Sequence, residues 1–264
     1  MNIIFILKTL IRLKIFFPLW KKLHKLSLFG MNIGPGGGVD QSGERWVMKY
    51  IASRLTGSAT FFDVGANKGD YASALLDEFG SQAAVYCFEP SKLTYSLLKD
   101  RLQGQKNVQV FNFGFGDDES TLSLYSDKEG STLASLYPRD LNHVGINMDA
   151  VETVELKTID GFCAEQNIEH IDLLKLDVEG HELNALKGAG SLIESSSVDF
   201  IQFEFGGCNI DSKTYFKDFF LSLKPNYKIY RILRNGIYPV VEYNEYLETF
   251  LTANFLAISR RLDK

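Results

Sequence analysis

The chain carries only three cysteines in 264 residues, Cys87, Cys163 and Cys208, with no Cys-x-x-Cys pair. Odd in number and widely spaced, they argue against a disulfide framework or a thiolate zinc site and fit a reducing, cytoplasmic compartment. Long uncharged apolar runs are also missing. A membrane-spanning helix needs roughly 20 nearly uncharged residues, whereas the apolar stretch at residues 1–28 is interrupted by Lys8, Arg12, Lys14, Lys21, Lys22 and Lys25. The same interruptions, with no small-residue cleavage site, argue against a signal peptide. There is no basic excess: the net charge of −5 argues against nucleic acid as a partner. No internal repeat or low-complexity tract occurs. With 45% apolar and 23% charged residues, the chain can bury a full core.

What is present is organised around Phe61-Phe62-Asp63-Val64-Gly65-Ala66-Asn67-Lys68-Gly69-Asp70. Ala59 to Val64 reads as a buried strand ending at an acid. Gly65 and Gly69 make the turn, and Tyr71, Ala74, Leu75 and Phe79 then recur at helical spacing. Glycine there allows a tight turn and lets a ligand lie against main-chain N–H groups. The spacing is not Gly-x-Gly-x-x-Gly, which weighs against a nicotinamide-dependent oxidoreductase on a similar fold. A second strand, Ala83 to Phe88, ends at Glu89-Pro90. An acid roughly 20 residues past the glycine turn suits recognition of ribose hydroxyls.

Before this core, residues 1–38 read as a basic, apolar arm and glycine-rich linker, and residues 39–264 as the catalytic domain. No acid precedes Asp40. The arm is either a basic helix on an anionic membrane surface or a segment packed on the domain or a second subunit, with packing weighing slightly more because Lys14 spoils the polar face. Gly34 to Gly38 forms a loop joining arm to domain or lying beside a ligand. The helix after Ser42 presents Trp46, Val47, Tyr50, Ile51 and Leu55 on one face.

Val108 to Phe115 is expected as a third buried strand, with Asn112 and Asp117 near a base edge. Residues 121–125 and 151–156 alternate as short strands. The polar stretch 127–150 between them is long for a compact domain and reads as a lid or acceptor-binding segment. A fourth strand from Ile171 ends at Asp177 and turns at Gly180, so Asp177, Glu179 and His181 gather at the carboxyl edge where open α/β sheets form their ligand crevice. A fifth, Val198 to Phe205, places Gln202 and Glu204 on one face, Glu204 either pairing with Lys175 or lining that crevice. Asp211 to Leu223 is expected as one helix, and 227–233 and 250–259 as further strands.

Asp63-Val-Gly-Ala-Asn-Lys-Gly69, Phe88-Glu-Pro90, Leu176-Asp-Val-Glu-Gly-His-Glu182 and Gln202-Phe-Glu204 together resemble the FkbM family of S-adenosylmethionine-dependent methyltransferases. The resemblance implies an α/β class I methyltransferase (Rossmann-like) fold: a seven-stranded, mostly parallel sheet in the order 3-2-1-4-5-7-6, strand 7 antiparallel, helices on both faces. It implies O-methylation with S-adenosyl-L-methionine, the acceptor being a small-molecule or glycan hydroxyl. Asp63, Gly65, Asn67 and Gly69 would then surround the methionine moiety and Glu89 the ribose, with Asn112 or Asp117 near adenine. Asp177 or His181 is expected to be the general base, with Glu179 and Glu204 orienting it or the acceptor. No metal is assigned, although Asp177 and Glu204 suit Mg²⁺. The non-enzymatic alternative is a membrane-tethered scaffold using the arm.

Overall fold

The computed structural model describes residues 10–34 and 37–262. Its centre is an eight-stranded sheet built from β1 (Ala59–Val64), β2 (Ala83–Phe88) and β3 (Val108–Phe111), which are parallel, and β7 (Ile171–Leu176) and β8 (Val198–Phe205), which continue the parallel run beyond β1. β11 (Ala253–Ser259) is antiparallel to both β8 and β9 (Tyr227–Leu233), and β10 (Gly236–Val240) forms a hairpin with β9. The order is β3-β2-β1-β7-β8-β11-β9-β10. This is the expected 3-2-1-4-5-7-6 arrangement with one more strand at the edge. That strand escaped the sequence reading because Pro239 and exposed Tyr238 do not look like sheet; at an edge, proline's missing N–H faces solvent.

Strand side chains alternate between two cores. Phe62, Leu174 and Ile201 face a cluster containing Phe162 and Phe219, while Phe61, Leu173 and Phe200 face one containing Val47, Ile51 and Leu75. Burial on both faces explains why these strands read as continuous apolar runs rather than alternating ones. Helices Glu44–Ala52 and Asp70–Phe79 cover one face, and Ile159–Gln166 and Phe216–Leu223 the other.

Two expected elements are divided. The stretch 108–115 is not one strand: β3 ends at Phe111, and β4 (Gly114–Phe115) joins a separate small sheet with β5 (Ser120–Ser126) and β6 (Ala150–Lys157), in the order β4-β6-β5. The helix expected over 211–223 is Cys208–Ser212 and Phe216–Leu223, broken where Lys213 takes a left-handed conformation (φ 56°). Among the described residues the arm packs on the domain only through its C-terminal end: of helix Phe17–Gly30 only Leu28 is buried, and Leu28 and Ile33 join the core cluster of Phe62 and Leu174, while residues 1–9 lie outside the described residues.

Candidate active site

The carboxyl ends of β1, β2, β7 and β8 open into a cavity of about 610 Å³. Beneath it, inside the strand ends, lies a polar row of which Lys175 reaches the cavity. Asp63, Lys175 and Gln202 are register partners on three neighbouring parallel strands, so their side chains project from the same face. Lys175 Nζ lies 3.1 Å from Asp63 Oδ1 and 3.5 Å from Asp177 Oδ2. Burial alone would lower the lysine's pKa, but Asp63, Asp177 and Glu44 together hold it above its ordinary value, so the ammonium stays charged. Gln202 donates to Glu44 Oε1 at 2.7 Å and accepts from the Tyr71 hydroxyl at 3.0 Å.

Above that row the wall is acidic. Gly65, Asn67, Glu89, Asp177, Glu179, His181 and Glu204 all line the cavity, as expected from the sequence. Glu89 is held by its oxygens: Oε2 accepts from the Asn67 N–H and Oε1 from the Ser91 N–H, both at 3.0 Å. Burial raises its pKa to about 7 despite those two bonds. Glu204 has neither ion-pair nor hydrogen-bond partner among the described residues, and Lys175 is not its partner. Burial first, then Asp177, Glu179, Glu182 and Glu44, push its pKa well above the usual carboxylate range. Such a group is poised to gain from a cation placed beside it.

Four expected binding residues are off the cavity wall. Asp63 is fully buried under the turn and forms the row's ion pair, so it cannot reach a ligand. Asn112 donates to the carbonyls of Glu89 and Pro90, at 3.0 and 2.9 Å, bracing the β2 tip rather than meeting a base. Asp117 is on an exposed turn and off the cavity wall. Gly69 also lies off the wall; it has φ +84°, and a Cβ there would stand 2.8 Å from Leu98 Cδ1, so it serves helix packing. Gly65 is the glycine the site requires. With φ +76°, its Cβ would lie 1.9 Å from the Asp177 carbonyl oxygen, so only glycine lets the β1 and β7 turns meet.

The 127–150 stretch folds over the cavity, with Ser131, Thr132, Leu133, Ala134 and Leu136 on its wall. Most of its side-chain anchors are on the turn after β7. Arg139 Nη1 is 2.7 Å from Glu179 Oε2, and its Nε 3.5 Å from Asp211 Oδ2. The Ser135 hydroxyl donates to the Glu179 carbonyl at 2.7 Å, and the Tyr137 hydroxyl lies 2.9 Å from His181 Nδ1. Glu179 takes φ 52°, a strained conformation for a non-glycine residue that these contacts hold in place. Burial lowers the His181 pKa to about 4, leaving a neutral imidazole at the wall. Arg139, Tyr137, Ser135 and Glu44 gave no sequence signal, being isolated polar residues in irregular chain or at a helix start. Gly37 and Gly38 of the linker border the cavity.

These residues fit S-adenosylmethionine. Glu89 offers fixed acceptors for two ribose hydroxyls, the apolar wall of Pro90, Phe115, Leu124 and Leu156 suits a flat base, and unpaired Glu204 suits a sulfonium.

The sequence is 24% identical over 135 residues to the 2-O-methyltransferase NoeI of Sinorhizobium fredii, covering 48% of this chain and 55% of that protein. It is 26% identical over 172 residues to the hexuronic acid methyltransferase AglP of Haloferax volcanii, covering 63% and 65%. The chain therefore spans less than two thirds of either relative's length. Among solved structures, the Methanococcus jannaschii fibrillarin pre-rRNA processing protein is 15% identical with a TM-score of 0.42, over 78% of this chain and 68% of that one. The Methyltransferase FkbM domain matches residues 63–230, well over half of the sequence and all of the strand tips that form the cavity, and the chain belongs to that family.

Proposed function

We propose that this protein is an S-adenosylmethionine-dependent O-methyltransferase acting in the cytoplasm on a hydroxyl of a sugar, a glycan or a lipid-linked sugar precursor. The observation that carries the reading is the Glu89 carboxylate, fixed by two backbone N–H groups on the wall of a cavity whose remaining charged residues are mostly acidic. Its relatives support the acceptor class: one is named for the oxygen it methylates, the other for a sugar acid. Three buried, unpaired cysteines support a reducing setting.

Bound in the cavity, S-adenosylmethionine supplies an electrophilic methyl carbon on a positively charged sulfur. The chain's task is to align the acceptor and accept its proton. His181 presents a neutral ring steadied by Tyr137, and Asp177 presents a carboxylate steadied by Lys175; one of the two takes the proton. Glu179, locked to Arg139, fixes the covering segment against which the acceptor packs. Loss of turnover in His181→Ala, restored by added imidazole, assigns the base to His181. Loss confined to Asp177→Asn assigns it to Asp177, and full turnover in the double variant removes both.

The test of the whole reading is incubation with labelled methyl donor and candidate nucleotide sugars, glycans and lipid-linked sugars. Label is expected in a carbohydrate hydroxyl. Label in protein side chains, or none in any acceptor, overturns the substrate class.

A further inference from the structure

The arm preceding the catalytic domain carries a second surface that the methyl-transfer chemistry does not use. Lys14–Phe16 is a separate 3-10 turn, and helix Phe17–Gly30 begins beside Pro18, so Lys14 does not share the helix's wheel. At 3.6 residues per turn, Leu19, Trp20, Leu23 and Leu26 fall on one side of that helix and Lys21, Lys22 and Lys25 nearly opposite, with exposed Phe29 the one aromatic among the lysines. Every member of the apolar set is solvent-exposed, from 39% for Trp20 to 66% for Leu26. Leu10, Ile11, Leu13, Ile15 and Phe16 extend the exposed patch, and the Trp20 indole N–H bonds the Ile11 carbonyl at 2.7 Å, holding the two parts together.

An apolar face left in water on this scale marks a contact surface. The charges decide what covers it. No acidic residue occurs before Asp40, whereas Lys8, Arg12, Lys14, Lys21, Lys22 and Lys25 all do, in a chain whose net charge is −5. Pairing two such arms would bring their basic residues together with no acid from either arm to offset them. An anionic lipid surface offers both an apolar layer and the complementary charge.

We propose that helix Phe17–Gly30 is an in-plane anchor that docks the protein on an anionic bilayer, its leucines at the acyl boundary and its lysines among the headgroups. The anchor is tied to the active site. Asn32 donates to the carbonyls of Ser42 and Ile232, the Gly34 N–H bonds the Thr252 carbonyl, and Gly37, Gly38 and Thr252 border the cavity. Docking therefore holds the cavity mouth close to the lipid surface. The inference does not depend on which reaction the cavity performs.

The test is co-sedimentation of the full chain with phosphatidylcholine vesicles, with and without phosphatidylglycerol. Binding is expected only with the anionic lipid and is expected to weaken at high salt. Replacing Lys21, Lys22 and Lys25 by Gln should weaken it about a hundredfold, from about a fivefold contribution per lysine near the surface. Leu23→Glu should release it as well. All four positions are exposed, so thermal midpoint and S-adenosylmethionine binding should stay at parental values. Equal binding to neutral vesicles, no binding to either, or indifference to the lysine substitutions overturns the proposal. A dimer in ultracentrifugation that Leu23→Glu dissociates, with no vesicle binding, assigns the face to a second copy and overturns it too.

Discussion

Lys175 stands between two carboxylates in a place with almost no water, and the surrounding residues depend on that one charge. Removing a single partner from a buried ion pair leaves the others uncompensated and costs about 3–5 kcal/mol. Lys175→Met should therefore lose stability of that order in urea denaturation, while conserving the ligand contacts of Glu89. Gly65→Ala is expected to be as severe for a steric reason, since its methyl group would occupy the position of the Asp177 carbonyl. Glu89 makes a prediction about pH. Its folded pKa of about 7 lies above the ordinary value, so its contribution to stability is full below about pH 4.5 and is lost as pH rises through 7. Glu89→Gln removes that loss. Relative to the parent, the variant without cofactor should gain on the order of 3 kcal/mol between pH 4.5 and 8, measured by urea denaturation at both ends, while its S-adenosylmethionine affinity collapses. At this scale the sequence was a partial guide. The acids at strand tips were legible because carboxylates interrupt apolar runs. Asp63 was misread because a strand-end acid looks the same whether it points to the ligand or, as here, beneath the turn toward a lysine on the next strand. Asn112 was misread for a similar reason: its amide satisfies local carbonyls that a linear reading does not place nearby.

The segment over the cavity is the element whose role the sequence located without explaining. Its length marked it as functional, but its grip on the turn after β7 depends on Arg139, Tyr137 and Ser135 meeting residues roughly 40 positions away in the chain. Irregular backbone has no period from which such contacts are read. Arg139→Ala should detach it. Hydrogen exchange at the Ser135 amide, which bonds the Tyr125 carbonyl at 2.9 Å, is expected to accelerate at least tenfold. The acceptor KM should rise while cofactor affinity, set by Glu89, which Arg139 does not touch, changes little. Unaltered exchange and KM would mean that the ion pair is incidental. The parallel strands β1, β2, β7 and β8 were the legible elements, because burial on both faces leaves a continuous apolar signature. The division of 108–115 was not, since both pieces are apolar and only Gly114, pressed against Leu156, marks the change of sheet.

The whole molecule sets a mostly acidic cavity at the carboxyl edge of a parallel sheet, with a covering segment over it and a glycine linker at its border that leads to a basic arm. The order of the strands followed from the resemblance to a family, and the extra edge strand did not, because nothing in the binding site requires it. The central claim is that this cavity recognises a methyl-donor nucleoside bearing a positive sulfur. Calorimetric titration of the full chain with S-adenosylmethionine and, separately, with NAD tests it most directly. The account predicts saturable heat with S-adenosylmethionine alone, at least a hundredfold weaker in Glu89→Gln. Heat with NAD instead, or S-adenosylmethionine binding indifferent to Glu89→Gln, would contradict it.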